Sequence, residues 1–134
     1  MRERLLRKGY PGPETEKALK TLSRMGYLND KELALTLVRE AKEGKRLGRK
    51  GAAAYLYKRG IPGGMAGEAL ADYDESEGAR SLVRKKMKGL GPLPEDVRKR
   101  RLYGALARRG FSGETIRKTM AVHEEEEYRE EEEE

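Results

Sequence analysis

The 134-residue sequence has no cysteine, no tryptophan and no glutamine, and only one phenylalanine (Phe111), one asparagine (Asn29) and one histidine (His123). Without cysteine there is neither a disulfide nor a thiolate metal site. A lone histidine has no partner for a metal cluster or a catalytic triad, so His123, beside an acidic stretch, reads as solvated surface. No apolar run approaches the roughly 18 residues of a membrane span. The opening residues "MRERLLRKG" hold no apolar signal core, so the expected location is the cytoplasm. With so few large aromatics a deep single core is not expected, and leucines, small residues and seven tyrosines must do most of the packing.

Charge, by contrast, is abundant. Charged residues make up 40% of the chain, yet apolar residues recur at regular spacing, as a folded chain requires. The net charge of +6 is unevenly placed. "EEEEYREEEEE" (124–134) contains nine Glu and one Arg, or −8, so the 123 residues before it carry +14. A body that basic favours a polyanionic or acidic partner. The glutamate run reads as a disordered or frayed-helical tail, with the option of folding over the basic face and competing with the partner.

Three segments align on a glycine: "LLRKGYPGPETEKAL" (5–19), "LYKRGIPGGMAGEAL" (56–70) and "LARRGFSGETIRKTM" (106–120). Each has a leucine four residues before the glycine, a basic pair just before it and a large apolar residue just after. The anchors are Gly9-Tyr10, Gly60-Ile61 and Gly110-Phe111, and the pairs are Arg7-Lys8, Lys58-Arg59 and Arg108-Arg109. Such a segment reads as a helix ending at a left-handed glycine, its cations in the last turn where the helix dipole favours them. Pro11, Pro62 or Ser112 then opens a turn into the next helix, with Pro13 suited to a first turn and Ser112 to an N-cap.

In the first unit a helix carrying Ala18, Leu19, Leu22 and Met25 is expected to stop at Gly26. Asn29 and Glu32 would then open another as a capping box, with Leu33, Ala34, Leu37, Val38 and Ala41 as its stripe. "LVR" at 37–39 returns at 82–84, after a second expected capping box in "DESE" (74–77), on a helix with Ala79, Leu82, Val83 and Met87 facing inward. The joints are "EGKRLGRKG" (43–51) and "KGLGPLPED" (88–96), where Pro92 and Pro94 force a stop. No β-type alternation occurs. The expected fold is all-α: an elongated, curved array of three tandem three-helix repeats, at 1–43, 44–90 and 91–123, before the tail at 124–134.

Catalytic signals fail on inspection. "GKRLGRKG" (44–51) lacks the phosphate-loop spacing and its Ser/Thr, and reads as an inter-repeat linker in which Lys45, Arg46, Arg49 and Lys50 are candidate phosphate contacts. "DYDES" (72–76) misplaces the glycine and the final glutamate of a calcium loop. Tyr55, Tyr57 and Tyr103 could stack on bases but sit at helical spacing beside Leu56 and Leu102, so they read as partial core. A sequence-reading helix–turn–helix is disfavoured by the scarcity of Asn and Gln, whereas salt-sensitive contact with a DNA backbone is not.

At "LxxKGY", "LxxMGYLND", "LALTLVRE" (33–40), "YLYKRGIP" (55–62), "EALADYDESEGARSLVRKKM" (68–87) and "RRLYGALARRGFSGETI" (100–116) the chain resembles the RecX family of bacterial recombination regulators. The resemblance implies three three-helix repeats and binding to the RecA recombinase in the groove of its filament on single-stranded DNA. It further implies block of filament growth and inhibition of ATPase, strand exchange and co-protease activity, with no catalysis by the chain itself. Family members carry a longer first helix, so that helix is expected to be truncated here, and the acidic tail is not a general family feature. On this reading the partner-binding residues are Arg7, Lys8, Lys58, Arg59, Arg84, Lys85, Lys86, Arg98, Lys99, Arg100, Arg101, Arg108 and Arg109. No cofactor, metal or small-molecule substrate is expected, and the chain is expected to be a monomer that touches RecA and, as an option, DNA directly. The alternatives are a nonspecific basic DNA-binding module and an adaptor for another acidic protein.

Overall fold

The computed structural model describes residues 12–133, with side chains described for 15–132. Arg7, Lys8, Gly9 and Tyr10, the first anchor and its basic pair, lie outside the described residues. The described chain is helical: α1 (Gly12–Arg39), a π-helical turn (Glu40–Gly44), α2 (Arg49–Lys58), α3 (Gly63–Ala69), α4 (Ser76–Leu90), α5 (Glu95–Arg108) and α6 (Gly113–Glu133). The chain divides into two compact units, residues 1–33 and 34–134.

In the first unit the expected break at Gly26 is absent, and α1 runs through Gly26, Asn29 and Glu32. Gly26 does not take a positive φ. An interior glycine costs only about 1 kcal/mol relative to alanine, and the flanking Leu, Lys, Glu, Ala and Met residues favour continuation. The expected capping box therefore does not form. The stripe at Ala18, Leu22 and Met25 is exposed, with Leu19 half-buried.

In the second unit the expected stripes are the core. Ala34, Leu37 and Ala41 are buried and Val38 half-buried, while Leu33 stays exposed. Ala34 and Leu37 pack with Leu56, Ile61 and Ala66, and Ala41 packs with Ala52, Leu70 and Tyr73. The Tyr73 hydroxyl donates to the Leu47 carbonyl at 2.7 Å, and burial pushes its pKa up to about 12. A separate core joins α4, α5 and α6 through Ala79, Leu82, Val83, Leu102, Leu106, Phe111 and Ile116. The packing groups are thus the end of α1 with α2 and α3, and α4 with α5 and α6. They are out of phase with the sequence repeat, which sets α4 beside α2 and α3.

Both described anchor glycines do what their sequence context requires. At the end of α2, Gly60 has φ 82°, its N–H donates to Tyr57 O at 3.0 Å, and Ile61 N–H donates to Leu56 O at 3.2 Å. At the end of α5, Gly110 has φ 80°, its N–H donates to Ala107 O at 3.0 Å, and Phe111 N–H donates to Leu106 O at 3.3 Å. Each is a Schellman cap, in which the residue after the glycine folds back onto the leucine that accepts its N–H. Pro94 precedes α5 as expected. Ser112 caps α6, its hydroxyl accepting from Thr115 N–H at 3.1 Å. The second capping box is replaced by a different arrangement: Asp74 accepts from Ser76 N–H at 2.9 Å, and Glu77 turns instead to Arg80 and Arg84.

Candidate partner-binding surface

The two described basic pairs end in different surroundings. Lys58 is exposed and has no ion-pair partner among the described residues, while the Arg59 guanidinium lies 3.6 Å above the Tyr55 ring. The Tyr55 hydroxyl donates to Glu40 at 2.8 Å, and that hydrogen bond to a carboxylate holds its pKa above the usual range. Arg108 is also exposed, its guanidinium lying against Gly104, where a Cβ would stand 3.2 Å from Nη1. Arg109 instead reaches across to the linker and donates to the Lys45 carbonyl.

That linker is a seam. Gly48 N–H donates to Arg109 O at 2.8 Å and Lys50 N–H to Gly110 O at 3.2 Å, while Arg49 N–H donates to the Glu75 carboxylate at 2.7 Å. These are orphan donors at the start of α2, and all three are satisfied from the α5–α6 turn and from Glu75. A Cβ at Gly48 would strike Phe111 N and one at Gly51 the Arg109 carbonyl, so both glycines allow backbone to approach backbone. The backbone of 48–50 is therefore closed to a phosphate. Of the four candidate phosphate contacts, Arg46 has φ 49° and donates to Ser81 at 2.9 Å, and Lys45 stands 5.5 Å from the Tyr55 ring. Arg49 and Lys50 remain exposed.

Glu75 was not legible as a special residue. Beyond Arg49 N–H, its carboxylate accepts from Ser112 N–H at 3.0 Å. It thus sits where α2, α4 and α6 all begin, and three helix dipoles favour its charge. Desolvation works to raise its pKa, but hydrogen bonds from Thr115, Arg49 and Ser112 outweigh it and hold the carboxyl below its usual range. Glu75 also lines a groove of about 930 Å³, together with Arg49, Lys50, Ala53, Tyr57, Ala66 and Phe111.

The densest basic run, 98–101, divides by helix face. Arg98 and Lys99 are half-buried and face α6. Arg98 donates to Leu93 O at 2.6 Å and stands 3.5 Å from Glu127, while Lys99 pairs with Glu95 at 3.2 Å and Glu124 at 3.1 Å. Arg100 and Arg101 are exposed without an ion-pair partner among the described residues, as are Lys85 and Lys86, whereas Arg84 pairs with Glu77 at 2.9 Å. Tyr57 and Tyr103 are 78% and 54% exposed, against the expectation of partial core, because they fall on the outer faces of α2 and α5. His123 is half-buried rather than solvated, its Nε2 lying 3.2 Å from Glu127. The tail is helical through Glu133.

No described helix is long and apolar enough to cross a membrane, and no metal-binding cluster occurs among the described residues. Comparison with known proteins gives a consistent picture. Residues 72–120 match the family model described as "RecX, third three-helix domain", the group formed here by α4, α5 and α6. The chain is 32% identical over 122 residues to the "Regulatory protein RecX" of Pelodictyon phaeoclathratiforme, covering 91% of this chain and 76% of that protein. It is 36% identical over 114 residues to that of Amycolatopsis mediterranei, covering 83% of this chain and 65% of that one. The crystal structure of RecX from Lactobacillus salivarius superposes with a TM-score of 0.69 at 21% identity, covering 90% of this chain and 80% of that chain, a likeness of fold.

Proposed function

The chain belongs to the RecX family of regulatory proteins, and from that membership we propose that it binds RecA on single-stranded DNA and inhibits it. On this reading it sits in the filament groove, blocks filament growth, and lowers the ATPase, strand-exchange and co-protease activities. It acts by occupancy rather than by catalysis, in the cytoplasm and as a monomer. The observation that carries the reading is similarity to these regulators across about nine-tenths of the chain.

The chemistry of the surface supports it. Lys58, Arg100, Arg101 and Arg108 are exposed cations without internal ion pairs among the described residues, on a body of +14. Such groups can pair with acidic side chains or with phosphates of a nucleoprotein polymer, and they raise the rate of encounter with it. Arg84, Arg98, Lys99 and Arg109 have internal partners and are secondary candidates.

The test is RecA's single-stranded-DNA-dependent ATPase titrated with this protein. Inhibition that saturates at substoichiometric or stoichiometric ratio to RecA is expected. ATPase activity unchanged at a large excess would overturn the proposal.

A further inference from the structure

The acidic end of α6 meets the basic start of α5 at defined side chains. Glu124 reaches Lys99 at 3.1 Å and Glu127 reaches Arg98 at 3.5 Å. The two carboxylates are three residues apart, so they lie on one face of the helix one above the other. The Arg98–Glu127 pair is only 20% and 25% exposed, which shields it from solvent more than an ordinary surface pair. Hydrogen bonding to Glu124 is the foremost influence raising the Lys99 pKa.

Arg98 and Lys99, near the start of α5, oppose that helix's dipole, and the facing carboxylates of Glu124 and Glu127 compensate their charge. The tail's other described glutamates, Glu125, Glu126 and Glu130 to Glu132, have no ion-pair partner among the described residues, so the described contact is made by Glu124 and Glu127 and not by the tail's charge at large.

We propose that the Arg98–Arg101 run of α5 is a binding surface for the phosphate backbone of single-stranded DNA, half of it masked in the free protein by Glu124 and Glu127. The exposed half, Arg100 and Arg101, makes the first contact. The masked half, Arg98 and Lys99, engages phosphate only when the α6 extension yields it. The contact is made by this chain itself and needs no RecA, so it goes beyond the reading above.

The proposal is tested on the whole chain with a fluorescently labelled oligo(dT) and no RecA, by following log Kobs against log salt. Each phosphate neutralised on a single strand contributes a slope of about −0.7. Glu124→Gln/Glu127→Gln frees Arg98 and leaves Lys99 only its pair with Glu95, so its slope should be steeper than wild type by about 0.7 to 1.4, with several-fold tighter binding at low salt. Glu130→Gln/Glu131→Gln removes the same charge away from α5 and should leave the slope near wild type. Helical circular dichroism of both variants checks that α6 persists. Equal slopes for the two doubles, or a Glu124→Gln/Glu127→Gln slope like wild type, would overturn masking. Because RecA is absent, a failure here leaves RecA inhibition to be judged by its own assay.

Discussion

The turns at Gly60 and Gly110 arise from nearly the same local sequence and have nearly the same geometry, with φ of 82° and 80°. Their surroundings differ. A Cβ at Gly60 would meet nothing within 4 Å, whereas one at Gly110 would run into the backbone of Gly51. The first turn faces open space; the second is the surface on which the start of α2 is built. A repeated motif thus fixes a helix end wherever it occurs, but what that end does depends on which neighbour it meets.

The comparison can be broken in steps. The largest effect is expected for Gly110→Ala, which adds left-handed strain of about 1–2 kcal/mol to a backbone collision of about 1–3 kcal/mol. Gly60→Ala should cost only the strain, about 1–2 kcal/mol. Urea unfolding of both variants measures the difference, and equal losses would show that the seam adds nothing.

Glu75 bonds only to the second turn and its partner helix, so it sharpens the contrast. Glu75→Gln should cost about 1–3 kcal/mol, since an amide N–H would oppose backbone N–H donors. The sign with pH follows from the lowered carboxyl pKa. The stabilisation is fully present above the ordinary carboxylate range and is lost as pH falls through the folded-state pKa. Thermal melts from pH 6 downward should therefore converge between wild type and Glu75→Gln, and parallel curves would contradict the role given to the ionised carboxylate.

Smaller still is the pair Arg59→Ala and Arg109→Ala. Arg59 stacks on an exposed-side tyrosine, worth about 0.5–1 kcal/mol, and Arg109 donates one hydrogen bond, worth about 0.5–1.5 kcal/mol. Deleting 124–134 removes the Arg98–Glu127 and Lys99–Glu124 pairs, together worth about 1 kcal/mol, and should show its main effect on binding. Oligonucleotide affinity should rise at low salt and converge with wild type at high salt, as electrostatic competition requires. Equal affinity at low salt would reduce the tail to a solubility element.

The helices of the second unit were legible because their determinants are local. The glycine flanked by Leu56 and Ile61, or by Leu106 and Phe111, carries its own cap, and the stripe at Ala79, Leu82 and Val83 needs only its period. The uninterrupted α1 was missed because Gly26, Asn29 and Glu32 imitate a stop and start, while helix propensity outweighs one interior glycine. Glu75 and the roles of Gly48 and Gly51 were hidden because each acts on residues more than 25 positions away. For the same reason the basic residues could be counted from the sequence but not sorted into exposed and internally bonded. Arg109 reads like Arg108, yet only the fold joins it to Lys45.

That sorting also selects the cleanest probe of function. Reversing Arg109 would disturb the seam, but Lys58 and Arg108 are exposed at the two turns. The decisive measurement is RecA's DNA-dependent ATPase titrated with Lys58→Glu/Arg108→Glu, after its circular dichroism and melting are shown to match wild type. The account predicts folded protein that no longer inhibits. Inhibition at wild-type concentrations by this folded variant would contradict it.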